Sequence, residues 1–218
     1  MNTLAMGVLA SGRGSNFQSI IDSIESGYLC AEIRLLITDN PAAFAIERAK
    51  RHGIEYLVLE PRQFGSRELY YEAVSQELKK RGVDLIVLAG FMRIVGKPLI
   101  KAFPDSIMNI HPALLPAFPG LHGQKQAIDY GVKISGCTVH FVDDGMDTGP
   151  VIIQAAVPVL DDDTEESLSE KILTFEHKIF PEAIKLFSEG RLEIVGRRVR
   201  ITGAHRRETN LVNPPLSD

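Results

Sequence analysis

The sequence predicts an α/β protein, with a mostly parallel central sheet and helices on both faces. Three observations carry this expectation. Short apolar runs alternate with stretches of helical spacing through the first half of the chain. Glycines stand where the helical stretches stop. The 218 residues suffice for one sizeable α/β domain and are marginal for two.

The elements follow in order. Residues 4–10 are an apolar run leading into a glycine loop, and they predict the first strand. Residues 15–26 place Phe17, Ile20, Ile21 and Ile24 close to helical spacing. Residues 33–38 predict a second strand. Pro41 opens a helix over 42–52, stopped by Gly53. Residues 54–59 predict a third strand, 66–81 a helix closed by Gly82, and 83–89 a fourth, strongly apolar strand. The βαβαβαβ rhythm is that of parallel strands joined by crossover helices, a Rossmann-like sheet. Residues 106–110 predict a fifth strand. It runs into HPALLPAFPGLH, whose three prolines exclude helix and central strand. A short helix over 124–130 precedes strands at 133–142 and 151–159, which flank the turn DDGMDTGP. Residues 164–189 predict a long helix. Thr164 is its expected N-cap, and Glu165 and Glu166 sit at its positive end. Residues 191–201 resemble a small hairpin around Gly196. Residues 203–218 form a polar tail with two adjacent prolines, expected to be poorly ordered. No repeat or linker interrupts the chain, so one domain over 1–202 is expected.

Composition narrows the function classes. A net charge of −4 argues against a nucleic-acid footprint, which needs clustered Lys and Arg. No apolar run approaches the ~18 residues of a membrane span. The N-terminus lacks the basic region of a signal peptide. Cys30 and Cys137 lack metal or redox spacing and are expected as buried free thiols, which places the chain in the cytoplasm.

Two constellations point to chemistry. The loop Ser11-Gly12-Arg13-Gly14-Ser15-Asn16 joins the first strand to the first helix. Its glycines let the backbone approach an anion, and the helix N-terminus attracts one. The bland alternative is a tight turn capped by Ser15. Phe17 stands where a dinucleotide fingerprint needs its third glycine, and no GK[ST] follows, so a terminal monophosphate suits the loop best. Asp39 ends the second strand, either as a ribose-binding carboxylate or as a cap for the turn at Asn40-Pro41.

Asn109 and His111 lie two apart at a strand end, hence on one face. Asp147 lies in a glycine-rich turn. A carboxylate orients a histidine and favours its cationic form, and an amide donor beside it stabilises an oxyanion. The set fits acyl transfer to an amine with no covalent enzyme intermediate. No GxSxG elbow or Cys–His pair competes, and the six histidines show no HExxH spacing, so no metal is expected.

At these residues the sequence resembles the glycinamide ribonucleotide formyltransferases. The matching segments are SGRGSNFQSII, LAGFMRIV, MNIHPALLPAFPGLHG, GCTVHFVDDGMDTGPVIIQ and FEHKIFPEAI, in the family's order and over nearly the whole chain. The resemblance implies a formyltransferase fold, with an N-terminal half for the nucleotide and a C-terminal half for folate and chemistry. It implies transfer of the formyl group of 10-formyltetrahydrofolate, as co-substrate, to glycinamide ribonucleotide through a tetrahedral intermediate in purine synthesis. Gly14, Ser15 and Asn16 would hold the phosphate and Glu176 the ribose hydroxyls. The backbone of Met92, Arg93, Ile94 and Val95 would grip the pterin, and Arg67 would contact the folate. Asn109 would contact the folate and, with His111, polarise the formyl group, with Asp147 supporting the histidine and relaying protons. The Leu115-Pro116 bond would be cis.

Plainer readings stand beside these. Phe91, Met92 and Ile94 would serve equally as core or a hydrophobic turn, and Arg67 as a solvated helix charge. His140 is expected to order the site or the core, and His122 to lie in a loop near it. Gln124 stands where some members carry a second histidine. The partners implied are small molecules, with no nucleic acid and no membrane, and the protein would be a monomer or homodimer. The rivals are a formyltetrahydrofolate hydrolase and a non-catalytic nucleotide-binding module.

Overall fold

The computed structural model describes residues 3–203, and the expected tail lies outside the described residues from 204 onward. The chain is α/β, with parallel strand pairs outnumbering antiparallel ones. It divides into two compact units: residues 1–109 with 141–145, and residues 110–140 with 146–218.

The first unit holds strands β1 (Leu4–Leu9), β2 (Ala31–Thr38), β3 (Tyr56–Val58) and β4 (Leu85–Leu88), and the start of β5 (Ile107–His111). The strand order is β3-β2-β1-β4-β5, all parallel. Every residue of β1 and β4 is buried, without alternation, as strands covered on both faces must be. Helices α1 (Ser15–Glu25), α2 (Ala45–Arg51), α3 (Arg67–Lys80) and α4 (Lys97–Ala102) make the crossovers. Helix α3 packs so closely on β1 that a Cβ at Gly7 would fall 2.3 Å from Leu78 Cδ2. The core of this unit runs from Leu9, Leu35 and Ile37 through Tyr70, Tyr71, Val74 and Leu78 to Ile86 and Leu99.

The second unit takes the last two residues of β5, then α5 (Gly123–Tyr130), β6 (Ile134–Phe141, its last residue in the first unit), β7 (Val151–Pro158), α6 (Glu165–Ser188), β8 (Leu192–Val195) and β9 (Arg198–Ile201). Strands β6 and β7 pair antiparallel, as do β8 and β9, while β7 meets β9 in parallel. Ala127, Cys137, Val157, Leu168 and Ile172 form its core. Thr164 caps α6 as expected, in a reciprocal box with Ser167: Ser167 N–H donates to Thr164 Oγ1 at 3.3 Å and Thr164 N–H to Ser167 Oγ at 3.0 Å.

Several local expectations need correction. Helix α2 starts at Ala45, not 42, because the Asn40 side chain accepts from Ala42 N–H and holds 40–43 as a turn. Helix α4 and a 3-10 turn at Pro61–Gln63 are additional. Strand β5 extends through His111. Both cysteines are free, but Cys30, just before β2, is exposed, and Cys137 alone is buried. No helix of the described residues is long and apolar enough to cross a membrane.

Candidate active site

In the first unit, the glycine loop after β1 becomes the start of α1. Gly14 is the N-cap, at φ 65°, ψ 38°. Ser15 is therefore the first helical residue, and its reading as a cap falls. The left-handed conformation favours glycine, and an added Cβ would lie 2.9 Å from Ala45 Cβ. No side chain caps α1, and its first turn has no acidic residue. The first-turn amides are thus directed at the loop's mouth, as at an anion site. Helix α2 buttresses the loop from behind: Ala45 N–H donates to Gly12 O at 3.1 Å and Arg48 Nε to Arg13 O at 2.9 Å. Asn16, the second residue of α1, is buried, 7% exposed.

The segment after β4 is tied down at four points. Met92 N–H donates to Ser11 Oγ at 3.0 Å, and Arg93 Nε pairs with Asp39 Oδ2 at 2.5 Å. Arg67 Nη2 donates to Ile94 O at 2.7 Å and to Val95 O at 3.3 Å, and Tyr71 Oη donates to Ile94 O at 2.8 Å. Arg67 is therefore a strut of this loop and not a purely solvated charge. Asp39 neither caps the turn, which Asn40 does, nor stands alone. Phe91 and Val95 are buried, whereas Met92 and Ile94 are 63% and 55% exposed. Two apolar side chains held outward on a rigid loop offer a flat, greasy rim, unlike core.

In the second unit, His111 and Asp147 come together, with Nδ1 3.5 Å from Oδ2. His111 is 4% exposed. Its Nε2 lies 2.8 Å from the Phe118 carbonyl, to which it donates. Both ring nitrogens therefore face acceptors. Gly120 N–H donates to Asp147 Oδ2 at 2.7 Å, and His140 Nε2 stands 3.8 Å from Oδ1. The carboxylate is thus shared by two histidines and a backbone amide. His140, expected only to order the site or the core, proves a direct neighbour of the acid.

The backbone is unusual where these groups converge. Phe118, His122 and Asp147 all have positive φ, at 53°, 62° and 56°. For Phe118 this is a costly conformation, and it aims the carbonyl that His111 uses. The proline-rich loop is pinned by a buried lattice. Leu115 N–H donates to Thr138 Oγ1, Thr138 Oγ1 to Ala113 O, and Gln154 Nε2 to both Leu115 O and Thr138 Oγ1. The Leu115-Pro116 bond is cis, as the resemblance implied. His122 is the N-cap residue of α5. Gln124 is half-buried near the start of that helix.

Asn109 shares strand β5 with His111, two residues away, so the pleat places both on one face. Glu176 is 6% exposed on α6. Burial, helped by the Glu176 charge, pushes the Cys137 thiol up to about 12. The Phe118 carbonyl and Gly120 amide are backbone groups, and no residue pattern announces them. The proline loop carrying them was the available signal.

Comparison with known proteins adds the following. The formyl transferase family model matches residues 5–184. The phosphoribosylglycinamide formyltransferase of Bacillus subtilis (strain 168) is 43% identical over 178 residues, covering 82% of this chain and 91% of that protein. The trifunctional purine biosynthetic protein adenosine-3 of Drosophila melanogaster is 47% identical over 185 residues; these are 84% of this chain but only 14% of that longer protein. Among solved structures, glycinamide ribonucleotide transformylase 1 from Symbiobacterium toebii superposes with a TM-score of 0.90 at 52% identity, covering 91% of this chain and 94% of that one.

Proposed function

Because the chain belongs to the formyl transferase family, we propose that it transfers the formyl group of 10-formyltetrahydrofolate to the amine of glycinamide ribonucleotide. The products are formylglycinamide ribonucleotide and tetrahydrofolate, and the reaction is a step of purine synthesis. The observation that carries this reading is the His111–Asp147 pair, 3.5 Å apart, with His111 buried on the strand that also carries Asn109.

The chemistry needs three services. The attacking amine must be held, negative charge on the formyl oxygen must be stabilised, and one proton must move from the attacking nitrogen to the departing folate nitrogen. His111 Nε2 donates to the Phe118 carbonyl, so the Nδ1 edge, which faces Asp147 at 3.5 Å, is the one that serves the formyl oxygen. Asp147 Oδ2 orients that edge of the ring. Asn109 supplies a neutral donor from the same strand face. One such oxyanion donor is worth about 10²–10³-fold in rate, and acid–base help about 10²–10⁴-fold. Asp147, itself anchored by Gly120 N–H, accepts the amine's proton through water and returns it to the leaving nitrogen. The carbon–nitrogen bond to folate breaks as the new one forms, and no net proton is gained or lost by the protein.

The binding roles follow the same reading. Gly14, Ser15 and Asn16 take the phosphate at the capless start of α1, and Glu176 takes the ribose hydroxyls. The Met92–Val95 segment takes the pterin against the Met92 and Ile94 rim. Met92 N–H and the Ile94 and Val95 carbonyls already serve inside the protein, so recognition falls to the loop's other backbone groups. Arg67 then acts on folate chiefly by shaping that loop. The compartment we assign is the cytoplasm, consistent with two free thiols.

The test is a spectrophotometric assay of formyl loss from the folate, with and without glycinamide ribonucleotide. Loss that requires the nucleotide supports the proposal. Equal loss in its absence would identify a hydrolase and overturn it.

A further inference from the structure

Ser11 has a structural position that the proposed chemistry does not use. It is the second residue after β1 and the first of the glycine loop. Its N–H, hydroxyl and carbonyl are all engaged, two with the loop after β4 and one with the turn after β2. Its N–H donates to Gly90 O at 3.0 Å. Its hydroxyl oxygen accepts from Met92 N–H at 3.0 Å. Its carbonyl accepts from Asn40 Nδ2 at 3.2 Å. The neighbouring Gly12 carbonyl then takes the first amide of α2, at 3.1 Å. One small residue thereby links the end of β1, the turn after β2 and the loop after β4.

From this geometry we infer that Ser11 is a positioning residue that couples occupancy of the two substrate loops, so that filling one changes affinity at the other. The inference rests on the reading above, in which Gly14–Asn16 hold the nucleotide and Met92–Val95 hold the folate. The physical argument is short. The Met92 amide is held by the Ser11 hydroxyl, so a shift of this loop to accept a ring must move or reload that bond. The Ser11 backbone cannot follow without moving Gly12, and Gly12 leads directly into the phosphate loop. The other struts of the folate loop, at Arg67, Tyr71 and Asp39, do not touch the glycine loop in this way. Ser11 alone among them has covalent continuity with it. Coupling of this kind is reciprocal by thermodynamic necessity.

The experiment is calorimetry with glycinamide ribonucleotide and tetrahydrofolate, which do not react together. Each is titrated alone and in the presence of the other, for the unaltered protein, Ser11→Ala and Ser11→Thr. The unaltered protein should show a coupling factor within the common range of about 5–150-fold. Ser11→Ala should move that factor towards one, while Ser11→Thr, which keeps the hydroxyl, should preserve it. The Met92 amide resonance should respond to nucleotide alone in the unaltered protein and lose that response in Ser11→Ala. A purely structural role would weaken both affinities and leave their ratio untouched. An unchanged factor in Ser11→Ala, or a factor of one in the unaltered protein, overturns the coupling while leaving the formyl-transfer reading intact. Failure of either ligand to bind the unaltered protein refutes both.

Discussion

At Asp147 the backbone adopts a left-handed conformation, φ 56°, and the carboxylate gathers a histidine on each oxygen and one backbone amide. Asp tolerates this conformation better than most residues, which makes it a tenable place to store strain. The Asp147→Asn variant keeps the shape and an oxygen for Gly120 N–H, but loses the charge that steadies His111. Turnover should fall by about 10²–10⁴-fold, the usual worth of acid–base assistance, while both substrates still bind. Steady-state kinetics decide it, and wild-type kcat in the variant would refute the assigned role. Ser15 tests the other substrate. It is the first residue of an uncapped helix, where a carboxylate would occupy the anion's place. The Ser15→Asp variant should weaken nucleotide binding by at least about tenfold, roughly 1.4 kcal/mol of like-charge repulsion and competition, and folate binding much less. Equal losses for both ligands in calorimetry would contradict the division of roles between the two loops.

Strands β6 and β7 do their part through contacts that leave no room for a side chain. A Cβ at Gly136 would fall 1.9 Å from the Ala155 carbonyl oxygen and 2.9 Å from Leu114 Cδ2. Beside it, Thr138 serves as donor to Ala113 O and acceptor from Leu115 N–H. In Thr138→Val the shape survives and the Leu115 amide is left buried without its partner. The expected cost is about 1–3 kcal/mol, read as a lower urea midpoint with an unchanged m-value; an unaltered midpoint would show that the lattice does not hold the proline loop. Elements of this kind mark the boundary of what the chain discloses unaided. Strands β1 and β4 were legible because their apolar runs are unbroken, and α6 because it carries a cap and a long period. Helix α4 was not, since six residues are too few for a periodic signal. The exposure of Cys30 was misjudged because it adjoins β2 without entering it. The pairing of His111 with Asp147 was foreseeable from residue types. The Phe118 carbonyl, the Gly120 amide and His140's place beside the acid were not, because backbone direction and strand register have no letter in the sequence.

Across the molecule, each compact unit buries acidic groups of its own that resist ionisation. In the first, burial raises Tyr70 and pushes Tyr71 up to about 12, against the partial relief of the Arg67 and Arg93 charges. In the second, burial with the Glu176 charge holds Cys137 at about 12, from an ordinary 9.0. The sign follows from linkage. Once unfolded, these groups lose protons near pH 9–10, while the folded chain keeps them, so the unfolded state binds fewer protons and stability falls as pH rises. The stabilisation is complete below pH 9 and is lost on the way to about 12. Each group contributes a slope of up to about 1.4 kcal/mol per pH unit in that window. Thermal melts should therefore hold a steady Tm from neutral pH to about 9 and decline above it. Tyr71→Phe loses its hydrogen bond to Ile94 O and so starts from a lower Tm, but its alkaline decline should be shallower. Cys137→Ala should flatten the decline independently, because the two groups sit in different units. An alkaline limb equally steep in both variants would mean that these buried groups do not set it. Thiol titration supplies the complementary check: the native protein should yield one fast-reacting cysteine, the exposed Cys30, and a second only on unfolding.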